Sequence, residues 1–321
     1  MPDETLQSIL ERSKGALEPA EGEGEEQLTR IAVIGAGTMG LGIAQAVSAK
    51  GLEVLLLEKD EVSLQASLKQ LAINLDREIA RWGMTESDKR AVLSRIKGTS
   101  NLDELEGYRL IIEAVPDLIE PKTNLFKQLD TMASRNAVFV TNTSVLSVTE
   151  LAEKTIRPDK FIGMHFLHPV QKRHMVEIVR GLQTSDATFR FTKSFAESIG
   201  KTVVEVYESP GYVTTRVILP MLNEAMHTLM EGVASAEGID TAIRLGYNFV
   251  QGPLHLADQM GLDEVHSWLE AMFRETGEQK YRPCPLLRKL VRAGHLGVKT
   301  GQGFFKYDET GRQIYGAEGV V

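Results

Sequence analysis

The sequence predicts an α/β protein in which a doubly wound parallel sheet is followed by an all-α C-terminal domain. Two observations support this prediction: short apolar runs alternate with helical patterns up to Tyr207, and strand patterns stop beyond it. Helices cover both faces of a parallel sheet, so its strands appear in a sequence as continuous apolar runs. A chain of 321 residues is also long enough to form two domains of ordinary size.

The first two strands are predicted at residues 31–34 and 54–57, with a helical pattern through Ile43 and Val47 between them. Further short apolar runs alternate with helix-like segments such as 122–132, and these runs lie at residues 110–112, 137–141 and 161–164. Strands that alternate with helices of this length favour βαβ units and therefore a parallel sheet.

The helical part of the chain follows the turn signal Ser209-Pro210-Gly211. Apolar residues at helical spacing then predict helices over residues 213–231, 236–244, 254–273 and 285–293. We therefore divide the chain into an arm at 1–28, a sheet domain at 29–208 and a helical domain at 209–321.

Residues 1–28 are predicted to form a flexible acidic arm. A short amphipathic stretch around Leu6, Ile9 and Leu10 precedes the tract 18–26, which consists almost entirely of acidic and small residues. Such a tract buries too little apolar surface to offset the entropy lost on ordering it. The arm has no basic region followed by an apolar one, so we do not interpret it as a secretory signal.

The charge and composition of the chain exclude several classes of function. The formal net charge is −8 and the isoelectric point is near 5.5, whereas a nucleic-acid surface needs clustered lysine and arginine. No apolar run approaches the ~18 residues that a membrane span requires, so we expect neither nucleic-acid nor membrane partners. The single cysteine, Cys284, cannot form an internal disulfide, which fits a reducing compartment and leads us to expect a cytoplasmic protein.

The pattern G-x-G-x-x-G lies between a predicted strand and a predicted helix, at Gly35-Ala36-Gly37-Thr38-Met39-Gly40. In this setting the first glycine makes the tight turn, the second lets a diphosphate approach the backbone, and the third lets the helix pack against the strand. The free N–H groups and the positive dipole end of the helix favour the anion. We therefore predict a dinucleotide site that includes Thr38 and Met39; a glycine-rich turn without a ligand is the alternative.

Glu58 ends the second predicted strand, about twenty residues after the glycines, where such sites place an acid. A carboxylate there accepts hydrogen bonds from the ribose hydroxyls of adenosine and repels a 2′-phosphate, which favours NAD over NADP. The neighbouring Lys59 leaves NADP open, and FAD is a further alternative.

His165 and Glu177 are the predicted proton-handling pair. His165 ends one predicted strand and Glu177 lies at the start of the next, so a strand, a loop and a returning strand can bring them face to face. Alcohol oxidation needs a neutral imidazole to accept the hydroxyl proton and a carboxylate to orient and stabilise it. Taken alone, a histidine such as His165 is a buried structural residue about as often as a base, and a glutamate such as Glu177 is more often an ion-pair partner. The histidines at 165, 168 and 174 lack a recognisable metal-ligand spacing, so we predict no metal.

At these residues the chain resembles the 3-hydroxyacyl-CoA dehydrogenase family, over about residues 29–307. The resemblance rests on several separate motifs in addition to the glycine-rich loop. They are Glu113-Ala114-Val115 with Asp117 and Lys122, Thr141-Asn142-Thr143-Ser144, Gly163-Met164-His165-Phe166 with Pro169, Val176-Glu177, Ser209-Pro210-Gly211-Tyr212, and residues 296–307.

The resemblance implies a homodimeric enzyme with a Rossmann-type NAD-binding domain, a helical C-terminal domain and an active site between them. His165 falls on the family's catalytic base, Glu177 on its orienting acid, and Ser144 on the serine that hydrogen-bonds the substrate oxygen. For Ser144, a helix cap or a local turn after Asn142 is the alternative.

Asp117, Lys122 and Lys299 fall on family positions that contact the cofactor, although each lysine has a solvated surface charge as its alternative. Two residues depart from the family pattern, because His168 and Thr215 stand where the family usually has asparagine. His168 would lie near the nicotinamide, and Thr215 near the substrate oxygen. Threonine keeps one hydrogen-bonding group but loses the paired donor and acceptor of the amide.

The expected reaction is the reversible, NAD-dependent oxidation of a short L-3-hydroxyacyl-CoA, such as 3-hydroxybutyryl-CoA, in fatty acid metabolism. Lys69, Arg77 and Arg81 on the helix after the second strand are candidates for the CoA phosphates; the alternative is a solvated helix face. Two other functions stay open: oxidation of a free 3-hydroxy acid or sugar acid on the same scaffold, and a non-catalytic NAD-binding sensor.

Overall fold

The structure is a computed structural model that describes residues 28–80 and 83–314. Leu28 packs against the apolar core of the sheet domain. The rest of the predicted acidic arm, with Leu6, Ile9 and Leu10, and the candidate CoA contact Arg81 lie outside the described residues.

One eight-stranded sheet forms the first domain, in the order β3-β2-β1-β4-β5-β6-β7-β8. Its strands are β1 (Arg30–Ile34), β2 (Glu53–Leu57), β3 (Ile96–Thr99), β4 (Leu110–Glu113), β5 (Val138–Thr141), β6 (Phe161–Phe166), β7 (Met175–Arg180) and β8 (Thr202–Tyr207). Neighbouring strands are parallel except β6 and β7, which are antiparallel. The short connection between β6 and β7 carries no crossover helix, so the chain returns directly beside itself.

Helices cover both faces of the sheet. They are α1 (Thr38–Ser48), α2 (Glu61–Ala80), α3 (Glu86–Ser94), α4 (Ile119–Met132), α5 (Val148–Ala152) and α6 (Asp186–Ser198). Side chains from α1, α2, α3 and α6 share one apolar core, and those from α4 and α5 share another on the opposite face. Burial on both faces explains why the central strands appear as continuous apolar runs.

The second domain is helical. Its helices are α7 (Thr214–Met230), α8 (Ala236–Gly246), α9 (Pro253–Met260), α10 (Leu262–Thr276) and α11 (Pro285–Arg292). Their apolar faces meet in a separate core that includes Leu222, Leu254 and Leu269. No helix in the described ranges is both long and apolar enough to cross a bilayer.

The predicted fold class is confirmed, with two differences in detail. Strands β3 and β8 were not predicted, because β3 buries little of its surface and β8 is a partly exposed edge strand. The antiparallel pair β6–β7 agrees with the returning strand predicted around His165 and Glu177. The helix predicted over 254–273 is two helices, because Gly261 has φ +97° and breaks the helical path between α9 and α10.

Residues 296–307, one of the motifs of the sequence, fold around the buried carboxylate of Asp258. That carboxylate accepts hydrogen bonds from the N–H groups of Phe304 and Phe305, both at 3.0 Å, and from the hydroxyl of Tyr307 at 2.8 Å. A Cβ atom on Gly303 would lie 2.0 Å from Asp258 Oδ1, so this glycine is required by close packing. The motif therefore stabilises the helical domain.

Candidate active site

The candidate site lies where the carboxyl ends of β1 to β6 meet one edge of the sheet. The strand order reverses between β1 and β4, and ligands of doubly wound sheets bind in the crevice that this reversal opens. The glycine-rich loop follows β1, the Asp117 loop follows β4, the Ser144 loop follows β5, and His165 lies near the end of β6. The topology therefore brings the predicted cofactor and catalytic residues to one edge.

The three glycines of the loop differ in what their positions allow. Gly35 has φ +95°, and a Cβ atom there would lie 2.8 Å from the carbonyl oxygen of Ala114. A Cβ atom on Gly40 would lie 1.7 Å from the carbonyl oxygen of Gly35, so only glycine lets helix α1 pack this closely. At Gly37, by contrast, an added Cβ would meet nothing within 4 Å, so the loop faces open space there.

The N-terminus of α1 fits a dinucleotide diphosphate. Gly37 is its N-cap residue and no side chain caps its N–H groups, while Thr38 is exposed and Met39 is half-buried. Uncapped N–H groups at the positive end of a helix dipole bind anions. Glu58 lies beside this loop, with Oε2 accepting the N–H of Ala36 at 2.9 Å, which is where a ribose-binding carboxylate belongs.

His165 and Glu177 face each other across the antiparallel pair β6–β7 in direct register. The Nδ1 of His165 lies 2.6 Å from Oε2 of Glu177. Both residues are buried, with His165 4% exposed and Glu177 fully enclosed. The imidazole ring and the carboxylate that were predicted to act together are thus in contact, and both are largely shielded from solvent.

The carboxylate of Glu177 accepts three more hydrogen bonds from the start of the helical domain. Oε1 accepts the N–H of Val213 at 2.9 Å and the N–H of Thr214 at 2.8 Å, and Oε2 accepts the hydroxyl of Thr214 at 2.7 Å. Burial opposes ionisation of Glu177, but the hydrogen bonds from His165 and Thr214 outweigh it and lower the pKa of this carboxyl. Glu177 is therefore ionised at neutral pH.

An ionised Glu177 fixes which nitrogen of His165 carries the proton. Carboxylate oxygens only accept hydrogen bonds, so Nδ1 must be the N–H side of a neutral imidazole. Nε2 then has a free lone pair, and this atom can accept a proton from a hydroxyl group. The geometry is that of a general base held and oriented by an acid.

Ser144 lies in the loop after β5, half-buried, with its N–H donating to Oδ2 of Asp117 at 3.0 Å. The hydroxyl of Thr143 makes the local turn by accepting the N–H of Leu146, and the hydroxyl of Ser147 caps α5. The alternative that Ser144 is the helix cap or the turn residue is therefore wrong.

Asn142 and Val145 connect the Ser144 loop to its surroundings. Oδ1 of Asn142 accepts the N–H of Phe166 at 3.2 Å, which ties the loop to the strand that carries His165. Val145 packs against the core of the helical domain. The Ser144 loop is thus held between the end of β6 and the second domain.

Lys122 is fully buried, so the alternative of a solvated surface charge is wrong for this residue. Its Nζ lies 2.6 Å from Oε1 of Glu113, 3.5 Å from Oδ1 of Asp117 and 3.2 Å from the carbonyl oxygen of Asn142. Burial raises the pKa of Glu113, and the ammonium of Lys122 and the hydroxyl of Thr141 oppose that shift. Lys122 thus connects the Asp117 loop to the Ser144 loop from within the protein interior.

Tyr212 packs its ring against that of His165, with ring centroids 5.6 Å apart. Its hydroxyl donates to the carbonyl oxygen of Leu146 at 2.9 Å, which lies in the Ser144 loop. The backbone of Tyr212 has φ +52°, a conformation that a bulky residue adopts only when its surroundings impose it. Tyr212 therefore contacts both His165 and the Ser144 loop.

The remaining predicted residues lie in less closely packed positions. Thr215 is buried in the first turn of α7, next to Thr214. His168 is exposed in the β6–β7 loop, where incomplete hydration and the Arg173 guanidinium lower the pKa of its imidazole. Lys299 is exposed and pairs with Asp263 at 2.6 Å on the helical domain.

The sequence did not identify Asn142, Tyr212 and Thr214 as individual site residues. Asn142 and Tyr212 belong to motifs of the family resemblance, but the motifs gave them no separate role. No local sequence pattern identifies Thr214 as a site residue, because its contact with Glu177 joins residues 37 positions apart in different domains.

Comparisons with known proteins agree with this geometry. Residues 30–209 match the family model of the 3-hydroxyacyl-CoA dehydrogenase NAD binding domain, and residues 211–307 match that of the 3-hydroxyacyl-CoA dehydrogenase C-terminal domain. The chain is 44% identical over 283 residues to the probable 3-hydroxybutyryl-CoA dehydrogenase of Bacillus subtilis, which covers 88% of this chain and 99% of that protein.

Two crystal structures share the whole fold. The (S)-3-hydroxybutyryl-CoA dehydrogenase of Ralstonia eutropha is 42% identical with a TM-score of 0.81, over 88% of this chain and all of that one. FadB2 of M. tuberculosis is 35% identical with a TM-score of 0.85, over 88% of this chain and 99% of that one. The family resemblance and the NAD cofactor inferred from the sequence are thereby confirmed. The chain belongs to the 3-hydroxyacyl-CoA dehydrogenase family, and it is an NAD-dependent oxidoreductase with the family's NAD-binding and C-terminal domains.

Proposed function

We propose that this enzyme oxidises short L-3-hydroxyacyl-CoA thioesters, 3-hydroxybutyryl-CoA in particular, to the 3-ketoacyl-CoA, and that the reaction is reversible. The observation that carries the proposal is the buried pair in which Nδ1 of His165 lies 2.6 Å from Oε2 of Glu177. A pair of this kind serves a step in which one hydroxyl proton is removed or returned.

His165 is the proposed base. Its Nδ1 is engaged by Glu177, so Nε2 takes the proton of the 3-hydroxyl, and the charge that forms on the ring is stabilised by the adjacent carboxylate. When bound, NAD supplies the acceptor for the hydride that leaves the same carbon. Glu177 keeps its proton-free state throughout, because the N–H groups of Val213 and Thr214 hold its other oxygen.

Ser144 and Thr215 are the proposed contacts to the substrate oxygen. A serine hydroxyl can donate to the ketone oxygen and accept from the alcohol, so it serves both directions of the reaction. Thr215 follows Thr214, whose hydroxyl contacts Glu177, and this adjacency supports the proposed role of Thr215. Its single hydroxyl replaces the paired groups of an asparagine amide.

The proposed cofactor contacts divide between the two ends of NAD. At the diphosphate and adenosine end they are Gly35, Gly37, Thr38, Met39, Gly40 and Glu58. At the nicotinamide end they are Asp117, His168 and Lys122, which is fully buried and acts through Asp117. Lys299 is a further proposed contact. The lowered pKa of His168 keeps its ring neutral at neutral pH, so it resembles the amide that the family usually has there.

The preference for a short acyl chain rests on the relatives, which are named 3-hydroxybutyryl-CoA dehydrogenases. Initial rates of NADH formation with 3-hydroxybutyryl-CoA, 3-hydroxydecanoyl-CoA and free 3-hydroxybutyrate test it. We expect kcat/KM to be highest for the four-carbon thioester and lowest for the free acid. A higher value for the ten-carbon thioester contradicts the chain-length proposal, and turnover of the free acid alone contradicts the thioester.

We further propose that the enzyme is a homodimer formed through the helical domain. The end of α8 and the segment after it expose Leu245, Tyr247 and Val250, the last at 98% exposure, and α7 exposes Val217. Exposed apolar side chains grouped in this way mark a surface that binds a partner. Sedimentation velocity is expected to give a dimer, with Val250→Asp shifting it to monomer and Leu182→Asp, on the sheet domain, leaving it unchanged.

A cytoplasmic location also remains a proposal. Cys284 is buried in the helical core and unpaired, as expected of a thiol in a reducing compartment. Fractionation of the native host, with immunodetection of the enzyme, tests it directly.

A further inference from the structure

The catalytic carboxylate of Glu177 shares one oxygen between two hydrogen-bond donors. Oε2 lies 2.6 Å from Nδ1 of His165 and accepts the hydroxyl of Thr214 at 2.7 Å. Every other bond to this carboxylate uses Oε1 and comes from backbone N–H groups. The Thr214 hydroxyl is thus the one side-chain donor, among the described residues, that competes with His165 for the same oxygen.

Backbone N–H groups hold the carboxylate of Glu177 in place, so the Thr214 hydroxyl is not needed for that purpose. Val213 and Thr214 donate through their N–H groups, which any residue except proline retains at position 214. Glu177 is fully buried on the central strand β7. Removal of the hydroxyl alone therefore leaves the carboxylate where it is and changes only the charge density on Oε2.

A donor on a carboxylate oxygen stabilises its negative charge and weakens it as an acceptor for any second donor. The imidazolium that forms when His165 takes up a proton is held by this same oxygen. In a buried pair the effect of one donor on the other is larger than in water. The hydrogen bond from Thr214 to Glu177 therefore affects the proton affinity of the His165 ring.

We propose that Thr214 is a positioning residue of the reaction, whose hydroxyl weakens the attraction of Glu177 for the imidazolium and so keeps His165 neutral, and competent as a base, at lower pH. The inference rests on the proposed roles of His165 and Glu177. Thr214 does not touch the reacting atoms, and it acts through the carboxylate alone.

Other titratable groups near the pair do not replace this contact. Asp117 lies in the loop after β4, and His168 lies in the β6–β7 loop. Glu208 and Tyr212 lie in the segment before α7. Burial, together with the nearby charges of Asp117 and Glu208, raises the pKa of Tyr212 well above its usual value, so its phenol stays neutral. Glu208 is engaged by the N–H of Thr149, and Asp117 by the N–H of Ser144. Each of these groups is present unchanged in a variant at position 214.

The test is a titration of the His165 imidazole nitrogens by ¹⁵N NMR in the protein without substrate, with His165→Asn identifying the resonance. In Thr214→Val the titration midpoint of His165 is expected to rise by about half a unit to one unit. Thr214→Ser keeps the hydroxyl and should restore the wild-type midpoint. Thr228→Val makes the same change on the same helix, where the hydroxyl bonds only the carbonyl oxygen of Glu224, and should have no effect.

The acid limb of the pH profile of kcat/KM for 3-hydroxybutyryl-CoA oxidation should move upward by the same amount in Thr214→Val. Below that limb the rate should fall about threefold to tenfold. An unchanged or lowered midpoint in Thr214→Val overturns the proposal, and Thr214→Ala gives the same measurement if the valine variant does not fold. Because the titration needs no turnover, a wild-type protein that titrates as expected but does not oxidise the thioester would contradict the proposed function separately.

Discussion

The backbone N–H of Thr214 lies 2.8 Å from Oε1 of Glu177, although the two residues belong to different domains. Glu177 is on a strand of the NAD-binding sheet, and Thr214 is the first residue of the first helix of the helical domain. The positive end of that helix dipole therefore points at the carboxylate of Glu177 and stabilises its charge. The proton-handling pair is complete only when the two domains are packed together.

Glu177→Gln should abolish most of the activity while leaving the fold intact. The amide keeps the shape of the side chain but cannot stabilise an imidazolium, and its NH₂ group opposes one of the donors that now surround it. We expect kcat to fall by roughly 10²–10⁴-fold with a smaller change in KM. Glu205→Gln, on the exposed neighbouring strand β8, is the control. Equal activity of the two variants would exclude the role given to Glu177.

Two glycine variants should separate cofactor binding from folding. Gly37→Ala adds a methyl group into open space, so it should leave Tm unchanged and weaken NAD binding by about tenfold or more. Gly40→Ala places its Cβ 1.7 Å from the Gly35 carbonyl oxygen, so it should destabilise the protein by about 3 kcal/mol or more. Thermal melts with and without NAD measure both effects. Normal NAD affinity in Gly37→Ala would show that no diphosphate lies at this point.

Glu58→Ala should relax the preference for NAD. Its carboxylate lies against the loop at Ala36, where it repels a 2′-phosphate. We expect the ratio of kcat/KM for NAD over NADP to fall by about tenfold or more. Glu61→Ala, at the exposed start of α2, should leave the ratio unchanged. A retained preference for NAD in Glu58→Ala would assign discrimination to another residue.

Asp258 should make the stability of the helical domain depend on pH. Burial raises the pKa of this carboxyl to about 6, from 3.8 in the unfolded chain. Below the lower value both states are protonated and the contribution to stability is complete. As the pH rises toward 6 the unfolded chain loses its proton first, so this stability is progressively lost.

The Asp258→Asn variant isolates that contribution, because an amide does not titrate. The free energy of unfolding of wild type minus that of Asp258→Asn should fall by ~2 kcal/mol between pH 4 and pH 7. Urea unfolding at the two pH values measures it. Asp263→Asn, which makes the same charge change at a partly exposed carboxylate, gives the baseline. A difference that grows with pH would mean that Asp258 is charged in the folded protein.

Local patterns were enough to predict most of the fold and the catalytic pair. The apolar runs marked the buried strands β1, β2, β4, β5 and β6, and the glycine pattern located the turn into α1. The strand, loop and returning strand around His165 and Glu177 predicted their contact, which the antiparallel register confirms. These features depend on residues close together in the chain, so their spacing determines their geometry.

The contacts that the sequence did not predict are those made between distant segments. The hydroxyl of Tyr212 reaches Leu146 across 66 positions, and Lys122 is buried only because the ends of β4 and β5 close over it. In the edge strand β8, Glu205 interrupts the valines, so the strand lacks the continuous apolar run that marks a central strand. The periodicity of the sequence does not predict such contacts, because they depend on how complete helices and strands pack against one another.

The measurement that tests the central claim most directly is the turnover number of His165→Gln with 3-hydroxybutyryl-CoA and NAD. If Nε2 of His165 is the base, kcat should fall by roughly 10²–10⁴-fold, while NAD affinity measured by calorimetry stays at the wild-type value. A variant that binds NAD normally and turns over as fast as the parent would contradict the account.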